Sequence, residues 1–175
     1  AGETYMHESG PPKSHWRARI SQNRSALAGK NARFLALEVA GSLTVEKGVK
    51  VAAHNELRVS DGGQVVLKGG LLESARWVDI QAGGSLEGHG LIRAQFFTKG
   101  ILSLSGKKPL VIDGNAYLSG ELKLSSIPSP KMDKSFTVIK SNSISGGFKN
   151  NEVLIGEKLF SIFYTPTSVT VKAKL

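Results

Sequence analysis

The feature that most constrains the fold is a short segment that recurs at a nearly constant interval. Each copy is a glycine followed by a polar and an apolar residue, and the copies begin 22 and then 21 residues apart. They are Gly41-Ser42-Leu43, Gly63-Gln64-Val65 and Gly84-Ser85-Leu86. The apolar pairs ahead of them keep the interval: Leu37/Val39, Leu57/Val59 and Val78/Ile80. A period of about 20 residues built from short strands and glycine turns predicts a stacked solenoid.

The segments between these turns predict how the solenoid is built. From residue 35 to about residue 125, Val, Ile, Leu and Thr alternate with polar residues in short runs, the pattern of half-buried strands. Three such strands fit into each repeat of about 20–22 residues, which predicts an all-β fold, a single-stranded parallel β-helix of four to five coils. Stacking at about 4.8 Å buries one continuous apolar column. An antiparallel sandwich or jelly roll is the alternative.

The chain divides into three parts on this pattern. Residues 1–33 are polar, basic and rich in turn residues, and they predict a linker or an N-terminal cap. Residues 34–125 form the β-helix body, and residues 126–175 form a C-terminal antiparallel β-cap that covers the exposed strand edge. Within the cap, residues 160–164 and 169–173 predict a hairpin whose aromatic side chains plug the end of the coil. Tight turns with positive φ explain why the 20 glycines cluster at the repeat junctions.

Composition and charge exclude several classes of function. The net charge is +9, yet residues 1–33 carry +4, residues 34–125 carry +1 and residues 126–175 carry +4. A nucleic-acid interface needs a continuous basic stripe, so we expect no nucleic-acid partner. The absence of cysteine removes disulfides, zinc–thiolate sites and a cysteine nucleophile. No run of 18 apolar residues occurs, so no membrane-spanning segment is expected.

A further set of segments has a pattern known from one family. These segments are residues 83–90 (GGSLEGHG), 100–103, 110–114 (LVIDG), 118–122 (LSGEL), 136–139, 144–148 (ISGGF), 160–164 (FSIFY) and 169–171. Together they resemble the passenger repeats of bacterial autotransporters over about residues 37–175. The resemblance implies a right-handed parallel β-helix in a secreted or cell-surface bacterial protein, as a module of a larger multidomain chain. The chain departs from those passengers in being rich in lysine rather than acidic.

Stacked coils also predict which outward side chains meet. Glu38, Arg58 and Asp79 fall between the inward pairs of successive coils and are predicted to form one outer column. A carboxylate–guanidinium–carboxylate order predicts a ladder of cross-strand ion pairs, each contributing a few tenths of a kcal/mol. The alternative is a binding row, because Glu56 and Trp77 occupy the neighbouring outward column.

Trp77 is the main candidate for a ligand-binding residue. Its neighbours Val78 and Ile80 point inward, so Trp77 is predicted to point outward with an exposed indole. A flat apolar ring surrounded by hydrogen-bonding groups is a platform for a sugar. The alternative is that the N-terminal segment covers Trp77, near Trp16. The predicted ligand-binding residues are Trp77, Arg58, Asp79, Arg76 and Glu56.

We expect neither catalysis nor a bound metal or cofactor. A glycosidase needs two carboxyl groups about 5–10 Å apart, one of them with a raised pKa. Arg58 lies between Glu38 and Asp79 and keeps both ionised, which is unsuitable for a general acid. The four histidines have no metal-ligand spacing. His7 and His15 lie in the polar N-terminal segment, and His54 and His89 are predicted to lie in solvated turns.

The sequence therefore predicts a non-catalytic carbohydrate-binding or adhesion module that recognises a polysaccharide on a flat face of the β-helix. The first alternative is a passive structural stalk of an autotransporter-like surface protein, without a ligand of its own. The second is a fragment of a β-helical polysaccharide-degrading enzyme. The basic residues Arg17 and Arg19, beside Trp16, could bind an anion or cap the first coil.

Overall fold

The computed structural model of the chain describes residues 3–5, 17–105, 107–126, 135–155 and 157–174. Among these residues there are fifteen strands and no helix. In chain order the strands are β1 (Glu3–Tyr5), β2 (Arg17–Ile20), β3 (Ser25–Ala28), β4 (Ala32–Val39), β5 (Ser42–Val45), β6 (Lys50–Val59), β7 (Gln64–Ile80), β8 (Ser85–Thr98), β9 (Ile101–Ser105), β10 (Leu110–Leu118), β11 (Glu121–Ser126), β12 (Phe136–Gly146), β13 (Glu152–Ile155), β14 (Lys158–Tyr164) and β15 (Ser168–Ala173).

The strands wind into a β-solenoid of about 5 turns, so the predicted parallel β-helix is confirmed. Three parallel sheets, here called the A, B and C faces, run along it. The A face contains residues 17–20, 36–39, 56–59, 77–80, 95–98, 115–118 and 143–146. The B face contains residues 25–28, 42–45, 64–67, 85–88, 101–104 and 121–124. The C face contains residues 32–34, 51–53, 71–73, 91–93, 110–112 and 139–141.

Strand β7 shows how one coil serves three faces. It passes from the B face to the C face and then to the A face, and its pairing with β8 shifts register between Lys68 and Leu71 and again between Glu73 and Trp77. These two shifts are the corners of the coil. The corners separate the sequence runs that the alternation pattern identified as distinct strands.

The core is a continuous column of apolar side chains from successive coils. On the B face, Leu43, Val65, Leu86, Leu102 and Leu122 are successive partners, and all are buried. The inward pairs predicted on the A face are likewise buried and in register, from Leu37 through Leu57 to Val78. Burying a leucine or valine side chain completely stabilises a fold by about 1.5–3 kcal/mol. This column is therefore what holds the coils together.

The glycine at the start of each repeat permits close stacking of the turns. A Cβ at Gly63 would clash with the carbonyl oxygen of Val39 in the preceding coil. Glycines at the same place in other coils face the same obstacle: Gly41, Gly84, Gly100 and Gly120. Positive φ occurs one residue earlier in these turns, at Gly62 (73°) and Gly83 (80°). In these two turns the first glycine permits a positive φ and the second permits close stacking.

The coils begin before residue 34, the boundary that the sequence indicated. Strand β2 pairs in parallel with β4, and β3 pairs in parallel with β5. The buried side chains of Ile20, Ala26 and Ala28 supply the inward positions of this first coil. Because two of these are alanines, the segment has weak hydrophobic alternation. The suggested contact between Trp16 and Trp77 lies outside the described residues.

The C-terminal part contains the predicted antiparallel hairpin. Strands β14 and β15 pair with Phe160 opposite Ala173 and Tyr164 opposite Val169. Strand β12 joins this cap to the coils, since it pairs in parallel with β10 and in antiparallel with β15. The solenoid therefore extends beyond residue 126. Within the described residues there is no helix long and apolar enough to cross a membrane.

A side chain supplies hydrogen-bond partners to the backbone at the edge of β11. The Asn150 amide accepts a hydrogen bond from the Leu122 N–H at 3.0 Å and donates one to the Leu122 carbonyl at 2.9 Å. The Lys149 N–H donates to the Gly120 carbonyl at 2.8 Å. Unpaired strand edges invite association with other chains, and these contacts take the place of another strand. At the end of the apolar column, the rings of Phe136 and Phe160 make an edge-to-face contact, with their centroids 5.8 Å apart.

Candidate functional site

The solvent side of the A face carries two parallel columns of side chains. The first, here called the Trp77 column, contains Arg17, Ala36, Glu56, Trp77 and Gln95 as successive strand partners. The second, here called the Arg58 column, contains Arg19, Glu38, Arg58, Asp79, Phe97 and Tyr117. The face is therefore charged toward its N-terminal coils and aromatic toward its C-terminal coils. Four of the predicted ligand-binding residues lie in these columns, and Arg76 lies at the corner before Trp77.

The predicted ladder of ion pairs along the Arg58 column is wrong. Glu38, Arg58 and Asp79 are strand partners, as the spacing required. However, the Arg58 guanidinium pairs with Glu56 of its own strand, at 3.2 Å, and among the described residues it has no ion pair with Glu38 or Asp79. Glu38 instead faces Arg19 at 3.6 Å and accepts a hydrogen bond from the Ser60 hydroxyl at 2.9 Å. Pairing within one strand leaves the column without a continuous ladder.

Trp77 lies on the solvent side of the A face, as predicted, but its indole is partly covered. The Arg76 guanidinium lies over the ring, 5.8 Å from its centroid. Such a cation–π contact contributes about 0.5–1 kcal/mol at an exposed site. The sequence reasoning expected a free ring flanked by Arg76, whereas the structure places that guanidinium against the ring itself. A ligand that stacks on Trp77 would share the indole with Arg76 or displace it.

A shallow depression lies beside Trp77 at the charged end of the face. Its volume is ≈ 210 Å³, and its side chains are those of Arg17, Arg19, Ala36, Glu38, Glu56 and Arg58. Ala36 leaves the space open, because it stands between Arg17 and Glu56 in the Trp77 column. Pockets for drug-sized ligands are usually about 300–1,000 Å³. The depression is smaller than this range.

Sequence reasoning missed the aromatic end of the face. The rings of Phe97 and Tyr117 stack with centroids 4.6 Å apart and planes 6° from parallel. Tyr117 remains 39% exposed. The Phe96-Phe97 pair concealed this feature, since two adjacent phenylalanines do not indicate which one points outward. The strand register could have identified it, because Phe97 follows Asp79 in the column.

A true ladder of ion pairs occurs on the C face. Glu73 contacts Lys50 at 3.4 Å and Arg93 at 3.4 Å, and Arg93 also contacts Asp113 at 3.1 Å. These four side chains belong to successive coils, so the ladder links them across the stacking direction. Since every charge in it has a partner, we assign it to stability rather than to binding.

No metal centre is present among the described residues. No three histidine, aspartate or glutamate side chains in that part of the chain lie close enough together to hold an ion. His54 and His89 were predicted to lie in turns, but they lie within strands β6 and β8, at corners of the coil. His7 and His15 lie outside the described residues.

The chain was compared with protein-family models, with curated proteins and with solved structures, and it matches none of them. The assignment of function therefore depends on the geometry of the A face.

Proposed function

We propose that the chain is a non-catalytic carbohydrate-binding or adhesion module whose A face recognises a polysaccharide. The observation that carries this proposal is the continuity of the face. Trp77 stands between the charged depression and the stacked pair of Phe97 and Tyr117, all on neighbouring strands. Aromatic rings present apolar surface to sugar rings, while arginine and glutamate side chains bind hydroxyl groups.

The shape of the face supports a polymer as the ligand. Neighbouring strands lie about 4.8 Å apart, so the columns offer binding groups at a regular interval along the coil axis. A flat, extended row of this kind matches successive units of a polysaccharide. A small ligand would need a deeper cavity than the ≈ 210 Å³ depression.

The resemblance to autotransporter passengers supports the setting that we propose for the module. We place it in a secreted or cell-surface bacterial protein with further domains. A passive stalk is the second candidate, and the unbroken stacking of about 5 turns favours it, because a continuous ladder of strands makes a stiff spacer. The two functions predict opposite results in one experiment.

The experiment is retention of the purified chain on insoluble cellulose, chitin and anionic glycans, alongside the Trp77→Ala variant. Phe163→Ala is the matched control, because Phe163 is a 51% exposed aromatic residue on strand β14 of the C-terminal cap and belongs to neither column of the A face. We expect at least one polymer to retain the wild type, about tenfold weaker retention of Trp77→Ala, and no change for Phe163→Ala.

Other outcomes would overturn the proposal. Lack of retention on every polymer favours the stalk. Release of reducing ends or unsaturated sugars from a retained polymer would show an enzyme. Equal retention of Trp77→Ala and the wild type would place the binding site elsewhere.

A further inference from the structure

The depression beside Ala36 has an excess of positive charge. Three arginines and two glutamates line it. Each glutamate already faces one arginine, Glu38 with Arg19 at 3.6 Å and Glu56 with Arg58 at 3.2 Å. Arg17, which is exposed, has no ion pair with any residue that the structure describes. One cation is therefore left without a counter-charge inside the depression.

Arg58 is also incompletely satisfied. Its Nε–H is buried and has no hydrogen-bond partner among the described residues, although the guanidinium donates to Glu56 at 3.2 Å. A buried donor without an acceptor destabilises a structure, so such a group requires an explanation. An oxyanion that draws the guanidinium outward into the depression would supply the missing acceptor. Guanidinium groups bind carboxylate and similar oxyanions through two parallel hydrogen bonds.

We propose that this depression is a subsite for the negatively charged group of an acidic polysaccharide, a carboxylate or a sulfate ester. Arg17 and Arg58 bind the charged group, and the polymer continues along the Trp77 column toward the indole. Ala36 and Trp77 are two strand spacings apart, about 10 Å, so adjacent parts of one polymer reach both. This inference depends on the proposed function, because it specifies the charge of the polysaccharide that the A face binds.

The test is binding to three immobilised polymers at physiological ionic strength, measured by surface plasmon resonance. Polygalacturonate carries only carboxylates, dextran sulfate carries only sulfate esters, and dextran is neutral. The variants are Arg17→Gln and Arg58→Gln. The matched control is Arg33→Gln, because Arg33 is an exposed arginine on the C face without an ion pair to any described residue.

We expect binding to at least one acidic polymer and about tenfold weaker binding for each A-face variant, the loss of one charge-assisted contact. Arg33→Gln carries the same change in net charge and is expected to bind as the wild type. The acidic polymer that responds identifies the bound group as carboxylate or sulfate. Circular dichroism confirms that each variant is folded. If Arg58→Gln is not, Arg17→Gln alone decides, since that side chain is exposed.

Three outcomes overturn the inference. Equal loss of binding in Arg17→Gln and Arg33→Gln would show general attraction of a basic protein to a polyanion. Wild-type affinity of Arg17→Gln and Arg58→Gln for the acidic polymers would refute the acidic subsite but leave the proposed function intact. Failure to bind any of the polymers, including cellulose and chitin, would refute the proposed function and this inference with it.

Discussion

Arg58 forms its ion pair with Glu56, two residues earlier on the same strand, with 3.2 Å between Nη2 and Oε2. Both side chains leave the A face on the same side, so the pair lies along the strand instead of across the coils. Arg58 therefore donates one hydrogen bond to Glu56, while its Nε–H has no partner among the described residues. An incompletely satisfied guanidinium at a shallow depression is suited to binding, whereas the paired ladder on the C face is suited to stability.

The close stacking of the turns predicts that one methyl group added at Gly63 strongly lowers the free energy of unfolding. Gly63→Ala places a Cβ against the carbonyl oxygens of Val39 and Ser60, and we expect the free energy of unfolding to fall by about 1–3 kcal/mol. Gly29→Ala is the control, because its Cβ would meet no atom within 4 Å. That variant should unfold like the wild type or be slightly more stable. Denaturant unfolding of both variants is the measurement, and equal stability would contradict close stacking.

The C-face ladder predicts a salt-dependent loss of stability. Glu73→Gln removes the contacts to Lys50 and Arg93, and we expect a loss of about 0.5–1 kcal/mol because these side chains are partly exposed. The loss should shrink at about 1 M salt, where such pairs are screened. Glu121→Gln should change stability less, because Glu121 has one ion pair among the described residues, with Lys123 at 3.8 Å. A loss that is insensitive to salt would argue against an ion-pair ladder.

A buried hydroxyl in the core predicts a stabilising substitution. Thr98 is 1% exposed, and its Oγ1 has no hydrogen-bond partner among the described residues. Thr98→Val keeps the shape and removes the unpaired polar atom, so we expect a gain of about 1 kcal/mol. Ser74→Ala is the contrasting variant, since the buried Ser74 hydroxyl donates to the Asn55 carbonyl at 2.9 Å. The thermal unfolding temperature should rise for Thr98→Val and fall for Ser74→Ala. A fall for both variants would show that the Thr98 hydroxyl has a hydrogen-bond partner.

Tyr164 predicts a loss of stability in alkaline solution. Burial raises the pKa of its hydroxyl above the ordinary value of 10.0, and the hydrogen bond from the Phe148 N–H opposes that rise. The unfolded chain therefore loses this proton at a lower pH than the folded chain does. The stability that the protonated Tyr164 hydroxyl contributes is fully present below pH 10 and is lost as the pH rises through the raised pKa.

The measurement is denaturant unfolding of the wild type and Tyr164→Phe from neutral pH to above the ordinary tyrosine pKa. At neutral pH, the difference in the free energy of unfolding between the two proteins gives the effect of losing the hydroxyl. We expect the free energy of unfolding to fall more steeply with pH in the wild type than in the variant. Parallel pH profiles would show that the pKa of Tyr164 is unchanged on folding.

The sequence predicted the fold well where coils repeat. The inward pairs Leu37/Val39, Leu57/Val59 and Val78/Ile80 are strand partners and buried, because period and alternation together specify both the coil length and the face. The hairpin of β14 and β15 was also predicted, since its two apolar runs flank a Thr-Pro turn. The first coil was missed because alanines occupy its inward positions.

The site was predicted less completely than the fold. The register of the columns follows from the repeat, but the choice of partner by Arg58 depends on side-chain rotamers that spacing does not specify. The contact of Arg76 with Trp77 arises at a corner where register shifts, so alternation cannot locate it. The ligand-binding roles of Trp77, Arg58, Asp79, Arg76 and Glu56 stay predictions.

The most direct test of the central claim is the fluorescence of Trp77 during titration with a polysaccharide that retains the chain. The variant Trp16→Phe leaves Trp77 as the single tryptophan, because the chain contains two. We predict that the polymer shifts the emission to shorter wavelength and protects the indole from a soluble quencher, since a sugar ring covers the exposed part of the side chain. Saturable binding with unchanged emission and unchanged quenching would contradict recognition on the A face.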